Sequence, residues 1–329
     1  MKVAVYSFHK FEKEYFSNAE FLKHELKYFD THLSLETALL AQGFSAVCIF
    51  VSDDASSEVL VKLHELGIRF IALRSAGFNH IDITKAIQLG MRVARVPKYS
   101  PYAVAEHAVA LILALNRKLI RAHQRVMELN FSLDGLVGFD MNGKTVGIIG
   151  TGKVGSVVAK ILHGFGCNIL AFDQVENEEI KQKYNVTYTD CETLCKETDI
   201  ITLHVPLMEK TKYIINKYCI EMMKQGVMLI NTSRGQLVNT KDVIEALKSG
   251  HIGSFGLDVY EEEEGLFFED HSEDILQDDV IARLMSFNNV LITSHQAFLT
   301  STALKNIADT TLYNLDCFEK NIISENELK

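Results

Sequence analysis

The sequence predicts an α/β protein built on two parallel sheets. Short apolar stretches alternate with helix-like ones along almost the whole chain. These stretches fall into two series, and one long, nearly all-apolar helical segment lies between them. Continuous apolar strands separated by helical segments are the pattern of βαβ units, whose sheets are buried on both faces. At roughly 150 residues per domain, 329 residues make about two such bodies.

The first series of strands covers residues 3–7, 46–50, 70–75 and 93–97. Residues 101–117, PYAVAEHAVALILALNR, then read as a helix. Proline suits the first helical position, where its missing N–H satisfies nothing anyway. A helix apolar almost all round is expected to be buried, here between domains or subunits. A charged stretch, 121–143, leads to the second series: 145–150, 168–173, 199–205, 227–231, 252–259 and 290–293. After His295 the pattern is helical to Lys320. The three prolines, Pro97, Pro101 and Pro206, each stand at or just past the end of a predicted strand. That edge of an open α/β sheet is where ligands bind.

Composition removes several function classes. Thirty-three Lys and Arg against 43 Asp and Glu give a net charge of −10, with no basic run. Nucleic-acid binding, which needs clustered cations, is not expected. The longest apolar run, 108–115, falls far short of the ~20 residues of a membrane span. The opening MKVAVYSFHKFEKEY has no secretory apolar core, so the expected compartment is the cytoplasm. Cys48, Cys167, Cys191, Cys195, Cys219 and Cys317 are scattered and form no metal-ligand spacing. They read as reduced structural thiols, and no metal is expected.

The segment TVGIIGTGKVG, 145–155, is a strand running into G-x-G-x-x-G, followed by a helical pattern. Gly150 permits the tight turn, Gly152 lets the backbone approach a pyrophosphate, and Gly155 lets helix and strand pack closely. The helix N-terminus offers free N–H groups and partial positive charge to phosphate. A second strand, NILAFD, ends in Asp173, 18 residues past Gly155. A carboxylate there accepts hydrogen bonds from ribose hydroxyls and repels a 2′-phosphate. No Arg follows in Gln174–Val175, so NAD is expected over NADP.

Three further strand exits carry complementary polar groups. Arg234 follows VMLINTS, and a guanidinium there can clamp a carboxylate with two parallel hydrogen bonds. His295 follows VLITS. Four acids, 261–264, follow GLDVY; read alone, such a run is a solvated loop. Together with a dinucleotide fingerprint, Arg, Glu and His at successive strand exits are the parts for hydride transfer to a 2-keto acid. The Arg fixes the carboxylate, the His gives a proton to the carbonyl oxygen, and a carboxylate orients the imidazole and stabilises its charged form.

Longer stretches carry a resemblance along nearly the whole chain: FIALRSAGFNHID at 70–82, RVPKYSPYAVAEHA at 95–108, GIIGTGKVG at 147–155, HVPL at 204–207, NTSRG at 231–235, GLDVYEEE at 256–263, LFFED at 266–270 and SHQAFLT at 294–300. In these the chain resembles the D-isomer-specific 2-hydroxyacid dehydrogenases, and LFFED and HQAFLT point to their fermentative D-lactate branch. The resemblance implies two Rossmann-like or flavodoxin-like domains with parallel sheets and an active site in the cleft between them. Residues 1–100 and 299–329 would form the substrate domain and 101–298 the NAD-binding domain.

It also implies that Arg234, Glu263 and His295 are catalytic. Glu263 is chosen among the acids because the family's glutamate lies three residues past the aromatic of the Asp-Val-Tyr stretch, here Tyr260. The backbone of Ser75, Ala76 and Gly77 would bind the substrate carboxylate, with Tyr99 nearby. Lys153 and Val154 match the phosphate loop, and Val205 and Pro206 the adenine and ribose side. Thr232, Ser233 and Asp258 fall among the cofactor contacts. Ser294 and Glu264 replace prolines common in the broader family, which argues against its phosphoglycerate and glyoxylate branches. The implied reaction is NAD-dependent interconversion of pyruvate and D-lactate by a homo-oligomer, a dimer or tetramer. Two alternatives are a larger 2-keto acid as substrate, and a non-enzymatic NAD-sensing protein of the same fold.

Overall fold

Two sheets with every strand pairing parallel organise the chain, one of five strands and one of seven. They come from a computed structural model that describes residues 1–19 and 23–329. The α/β class expected from the alternating apolar segments is the class observed. The chain divides into two units, Met1–Ser100 with Leu299–Lys329, and Pro101–Phe298.

In chain order the first unit opens with β1 (Lys2–Val5), α1 (Lys13–Ser17), β2 (Glu25–Tyr28) and β3 (Ala46–Ile49). It continues with α2 (Ser57–Glu65), β4 (Phe70–Leu73), α3 (Ile83–Gln88) and β5 (Arg92–Ala94). The second unit begins with α4 (Pro101–Asn116) and α5 (Leu119–Met127). Then come β6 (Thr145–Ile149), α6 (Lys153–Gly164), β7 (Asn168–Phe172), α7 (Glu178–Tyr184) and β8 (Thr187–Tyr188). After α8 (Cys191–Glu197) follow β9 (Ile200–Leu203), α9 (Lys217–Met222), β10 (Val227–Asn231), α10 (Thr240–Ser249) and β11 (Ile252–Leu257). The unit closes with α11 (Asp279–Met285) and β12 (Val290–Ile292), and α12 (Ser301–Glu319) returns to the first unit.

The first sheet has the order β2-β1-β3-β4-β5. Side chains alternate across a strand, so β3 sends Val47 and Ile49 to one face and Ala46 and Cys48 to the other. Val47 and Ile49 pack with Leu60 and Leu63 of α2. Ala46 and Cys48 pack with Leu312, Leu315 and Phe318 of α12. Within this apolar body lies Arg74, 1% exposed, just past β4. Its Nε donates to Glu12 at 2.8 Å, and its Nη2 donates to the carbonyls of Tyr6 and Ser7, both at 2.8 Å. Nη1 donates to Cys48 O at 3.1 Å. One guanidinium thus ties together the exits of β1, β3 and β4, and Glu12 balances its charge.

The second sheet runs β12-β11-β10-β9-β6-β7-β8. The order reverses between β6 and β9, and such a switch point opens a crevice at the carboxyl edge. One face carries α8, α9 and α10 over Ile201, Leu203 and Leu229. The other carries α4 and α6 over Val146 and Ile148. The apolar helix α4 was expected to be buried between domains or subunits. It instead spends Ala105, Ala108, Val109 and Ile112 inside its own unit, against Val158 and Leu162 of α6. Exposed apolar side chains occur just beyond it, in α5 and the stretch after it: Met127, Phe131, Leu133 and Val137 are 69–82% exposed.

β2 and β8 were not expected. β2 is an edge strand of mostly exposed residues, and β8 has two residues, so neither has an apolar run to announce it. Most predicted strands end one to three residues early, because the last residues of each run leave the ladder and enter the loops that carry polar groups.

Candidate active site

The glycine loop occupies the switch point. Gly150 has φ +95, a left-handed conformation open to glycine, and a Cβ there would lie 2.7 Å from the His204 carbonyl. A Cβ at Gly155 would lie 1.9 Å from Gly150 O, so α6 can approach the loop only without one. At Gly152, the residue before α6, a Cβ would meet nothing within 4 Å. That is open room at a helix N-terminus, where N–H groups lack intrahelical partners. Lys153 and Val154 form the first turn of α6.

Asp173 at the end of β7 closes the loop from the other side. Its Oδ2 accepts from Thr151 N–H at 2.6 Å and from the Thr151 hydroxyl at 3.1 Å, and Oδ1 accepts from Gln174 N–H at 2.6 Å. Tyr188 donates its hydroxyl to Thr151 Oγ1 at 2.8 Å. A carboxylate has about four lone-pair sites, so Asp173 brackets the loop and keeps acceptor capacity for a ribose. Sequence reasoning missed Thr151 and Tyr188, because nothing in their spacing announces the bond.

On the other side of the switch point, Ser233 donates its hydroxyl to Val205 O at 2.6 Å, joining the exits of β10 and β9. Pro206 O accepts from the Thr211 hydroxyl at 2.6 Å. Thr232 is 6% exposed, and its Oγ1 has no partner among the described residues. Open room at Gly152, an acid at Asp173 and an orphaned hydroxyl at Thr232 together fit a dinucleotide.

Arg234, Glu263 and His295 leave the adjacent strands β10, β11 and β12. The Arg234 guanidinium donates through Nη1 to Ser233 O at 2.6 Å, which leaves most of its five donors for a ligand. A Cβ at Gly235 would fall 2.1 Å from the Tyr260 carbonyl, so the Arg234 exit presses on the backbone that leads to Glu263.

The four acids divide by partner. Glu262 and Glu264 are exposed. Glu261 accepts from Thr240 N–H at 2.9 Å. Glu263 Oε1 lies 2.9 Å from His295 Nδ1, and its Oε2 accepts from Tyr260 N–H at 3.1 Å. The imidazole therefore turns Nδ1 to a carboxylate and keeps Nε2 for a reacting group. Phe268, from LFFED, flanks the ring with centroids 5.6 Å apart.

His295 has φ +53. Such a backbone is costly for a side-chain-bearing residue and persists where surroundings hold it. Asp258 supplies that hold. Its carbonyl accepts from His295 N–H at 2.7 Å. Its carboxylate, 1% exposed, accepts from the N–H groups of Gln296 and Ala297 at 2.9 and 2.8 Å and from the Thr293 hydroxyl. With its proton on Asp258, Thr293 accepts from His107 Nε2 at 3.0 Å. His107 and Thr293 were not among the expected residues; they meet across 186 positions.

Ser75, Ala76, Gly77 and Tyr99 lie in the first unit. Ser75 donates its hydroxyl to Gly77 O at 2.7 Å, and Arg95 donates to Ala76 O at 2.6 Å while covering the Phe78 ring at 5.0 Å. Asn306 of α12 donates to Tyr99 O at 2.6 Å. Arg95, the brace of this turn, also escaped the sequence reading: its cation sits inside a strand-like run with no second signal.

Comparison with known proteins adds the lineage of these parts. A family model described as D-isomer specific 2-hydroxyacid dehydrogenase, NAD binding domain, matches residues 109–297. The chain is 50% identical over 329 residues to a D-lactate dehydrogenase of Escherichia coli (strain K12), covering 100% of both. Its fold is similar to the apo-structure of D-lactate dehydrogenase from Escherichia coli, with a TM-score of 0.91, 47% identity and 100% of each chain covered. It is also similar to the D-lactate dehydrogenase of Aquifex aeolicus complexed with NAD and lactic acid, with a TM-score of 0.85 and 35% identity, covering 97% of this chain and 96% of that one.

Proposed function

The chain belongs to the D-isomer specific 2-hydroxyacid dehydrogenases, and from that premise we infer that it is an NAD-dependent D-lactate dehydrogenase, interconverting pyruvate and D-lactate. The observation that carries this reading is the Glu263–His295 pair at 2.9 Å, on the same sheet as a dinucleotide-type glycine loop.

We assign the cofactor to the unit 101–298, and we assign Ser75, Ala76, Gly77 and Tyr99 of the unit made of 1–100 and 299–329 to substrate binding. NADH, when bound, supplies the hydride. Gly150, Gly152, Lys153, Val154 and Gly155 hold its phosphates and Asp173 its adenosine ribose; Val205, Pro206, Thr232, Ser233 and Asp258 line the rest. Arg234 grips the carboxylate of pyruvate with two parallel N–H donors and polarises the adjacent carbonyl. In the other unit, backbone N–H groups of Ser75, Ala76 and Gly77 are the donors we assign to a substrate carboxylate, with Tyr99 as their neighbour in the role. His295 gives the proton on Nε2 to the carbonyl oxygen, which becomes the hydroxyl, and takes it back in the reverse direction. Glu263 fixes the ring through Nδ1–H and stabilises the imidazolium that must be present before the proton moves.

The exposed Met127, Phe131, Leu133 and Val137 support a homo-oligomer, because isolated chains seldom keep so much apolar surface in water. No helix among the described residues is long and apolar enough to cross a membrane. All six cysteines are free thiols, which supports a reducing compartment such as the cytoplasm.

The test is NADH oxidation with pyruvate, followed by chiral analysis of the product. D-lactate is expected; L-lactate, or NADH binding without turnover of any 2-keto acid, would overturn the reading. Comparing kcat/KM for pyruvate with that for phenylpyruvate and 2-ketoisocaproate fixes the size of the accepted side chain, since one methylene is worth about 1–3 kcal/mol.

A further inference from the structure

The fold of the first unit gathers a second set of chemistry-bearing side chains. His24, just before β2, meets Asp316 and Glu319 from the last turn of α12. One nitrogen or oxygen of each lies within 4.8 Å of one from each of the others. His24 and Asp316 are each 7% exposed. Two atoms of this cluster, Nε2 of His24 and Oδ1 of Asp316, are buried without a hydrogen-bond partner among the described residues. Orphaned polar atoms are uncommon in protein interiors and costly. Here two of them share one cluster, and both are of types that ligate metals.

Two cations already border the cluster. The Met1 ammonium contacts Glu319 and lies 3.3 Å from His24 Nδ1, and Lys320 pairs with Asp316 Oδ2 at 2.5 Å. Neither satisfies His24 Nε2 or Asp316 Oδ1.

We propose that His24, Asp316 and Glu319 form a binding site for a divalent first-row transition ion, with Zn²⁺ as its natural probe. An imidazole with two carboxylates is a mixed nitrogen and oxygen set, which suits Zn²⁺ and its neighbours. Mg²⁺ and Ca²⁺ take oxygen ligands throughout and would gain nothing from the imidazole. Tetrahedral donors at about 2.1 Å from an ion lie about 3.4 Å apart. Rotation of the Glu319 side chain, which is 43% exposed, can close the present spacing and gives the ion its way in. The fourth position falls to water or the Met1 amine. Such an ion would cross-link residue 24 to residues 316 and 319, so its binding would be felt as stability of the first unit.

The experiment uses the full-length protein freed of metal with EDTA and titrated with ZnCl₂ alone by calorimetry, with thermal unfolding in parallel. The expected result is a saturable site of one Zn²⁺ per chain and a rise in melting temperature that MgCl₂ does not produce. Glu319→Gln and His24→Phe are each expected to raise the dissociation constant at least tenfold and to abolish the thermal shift. Glu319 is at the surface, so its variant keeps the fold even where the one at buried His24 does not. Absence of saturable binding, or equal Zn²⁺ affinity in the native protein and Glu319→Gln, overturns the proposal; the second result would place the ion at other histidines.

Discussion

His295 shows how a single residue's chemistry depends on its backbone. Its left-handed φ of +53 turns the ring toward Glu263, and the hold comes from Asp258, Thr293 and His107 rather than from the residue itself. Replacing it tests the proton transfer. His295→Ala is expected to lower kcat about 10²–10⁴-fold, the usual worth of a placed general acid, while NADH affinity by fluorescence titration stays near native. Native-like turnover would remove His295 from the chemistry. Arg234→Lys is expected to raise the pyruvate KM about 10- to 100-fold, since an ammonium cannot make the forked contact and a charge-assisted hydrogen bond is worth about 1.5–3 kcal/mol. An unchanged KM would dismiss the clamp. At this scale the place of a polar residue just past an apolar strand is legible in the sequence, as with Arg234 after β10 and His295 after β12. The choice of Glu263 among four acids came from resemblance; the geometry that singles it out is tertiary, as is the network through His107.

Among elements, strands read best where both faces are buried. β10, with all five residues buried, has the bounds its apolar run implies, whereas β2 is half hidden in polar residues at a sheet edge. The long apolar helix α4 was legible as buried, but not its partner, because hydrophobicity says how much surface is covered and not by what. Arg74 is the reverse case: its place in FIALRSAG is plain, yet nothing in the sequence says that it lies inside the core against Glu12. Removing one partner of a buried ion pair leaves the other charge uncompensated and costs about 3–5 kcal/mol. Arg74→Leu is therefore expected to lower the stability of the first unit by that amount in urea unfolding, with activity falling as the Ser75–Gly77 turn loosens. A loss below about 1 kcal/mol, the level of an exposed pair, would show the interaction to be marginal.

For the whole molecule, acid is the condition that finds the weak point. Desolvation pushes the His204 imidazole beside the glycine loop down to about 3, and burial lowers His9 in the same direction. A folded-state value below the unfolded 6.5 leaves stability intact above pH 6.5. Stability then falls as pH drops from 6.5 toward about 3, because the unfolded chain takes the proton first. At pH 5 the His204 contribution is about 2 kcal/mol. Unfolding free energies at pH 7 and pH 5 should therefore differ by about that much less in His204→Gln than in the native chain; equal losses would refute the assignment. The division into two units is legible as two series of strands, and it carries a temporal consequence. The contiguous stretch 101–298 can close on itself as soon as it is made. The first sheet cannot, because Leu312, Leu315 and Phe318 cover one of its faces and are translated only after that stretch. At about 5–20 residues per second, β1 waits roughly 15–60 s for that cover. β1 is thus made long before it is sealed, and elongation speed sets how long its bare face meets the cell.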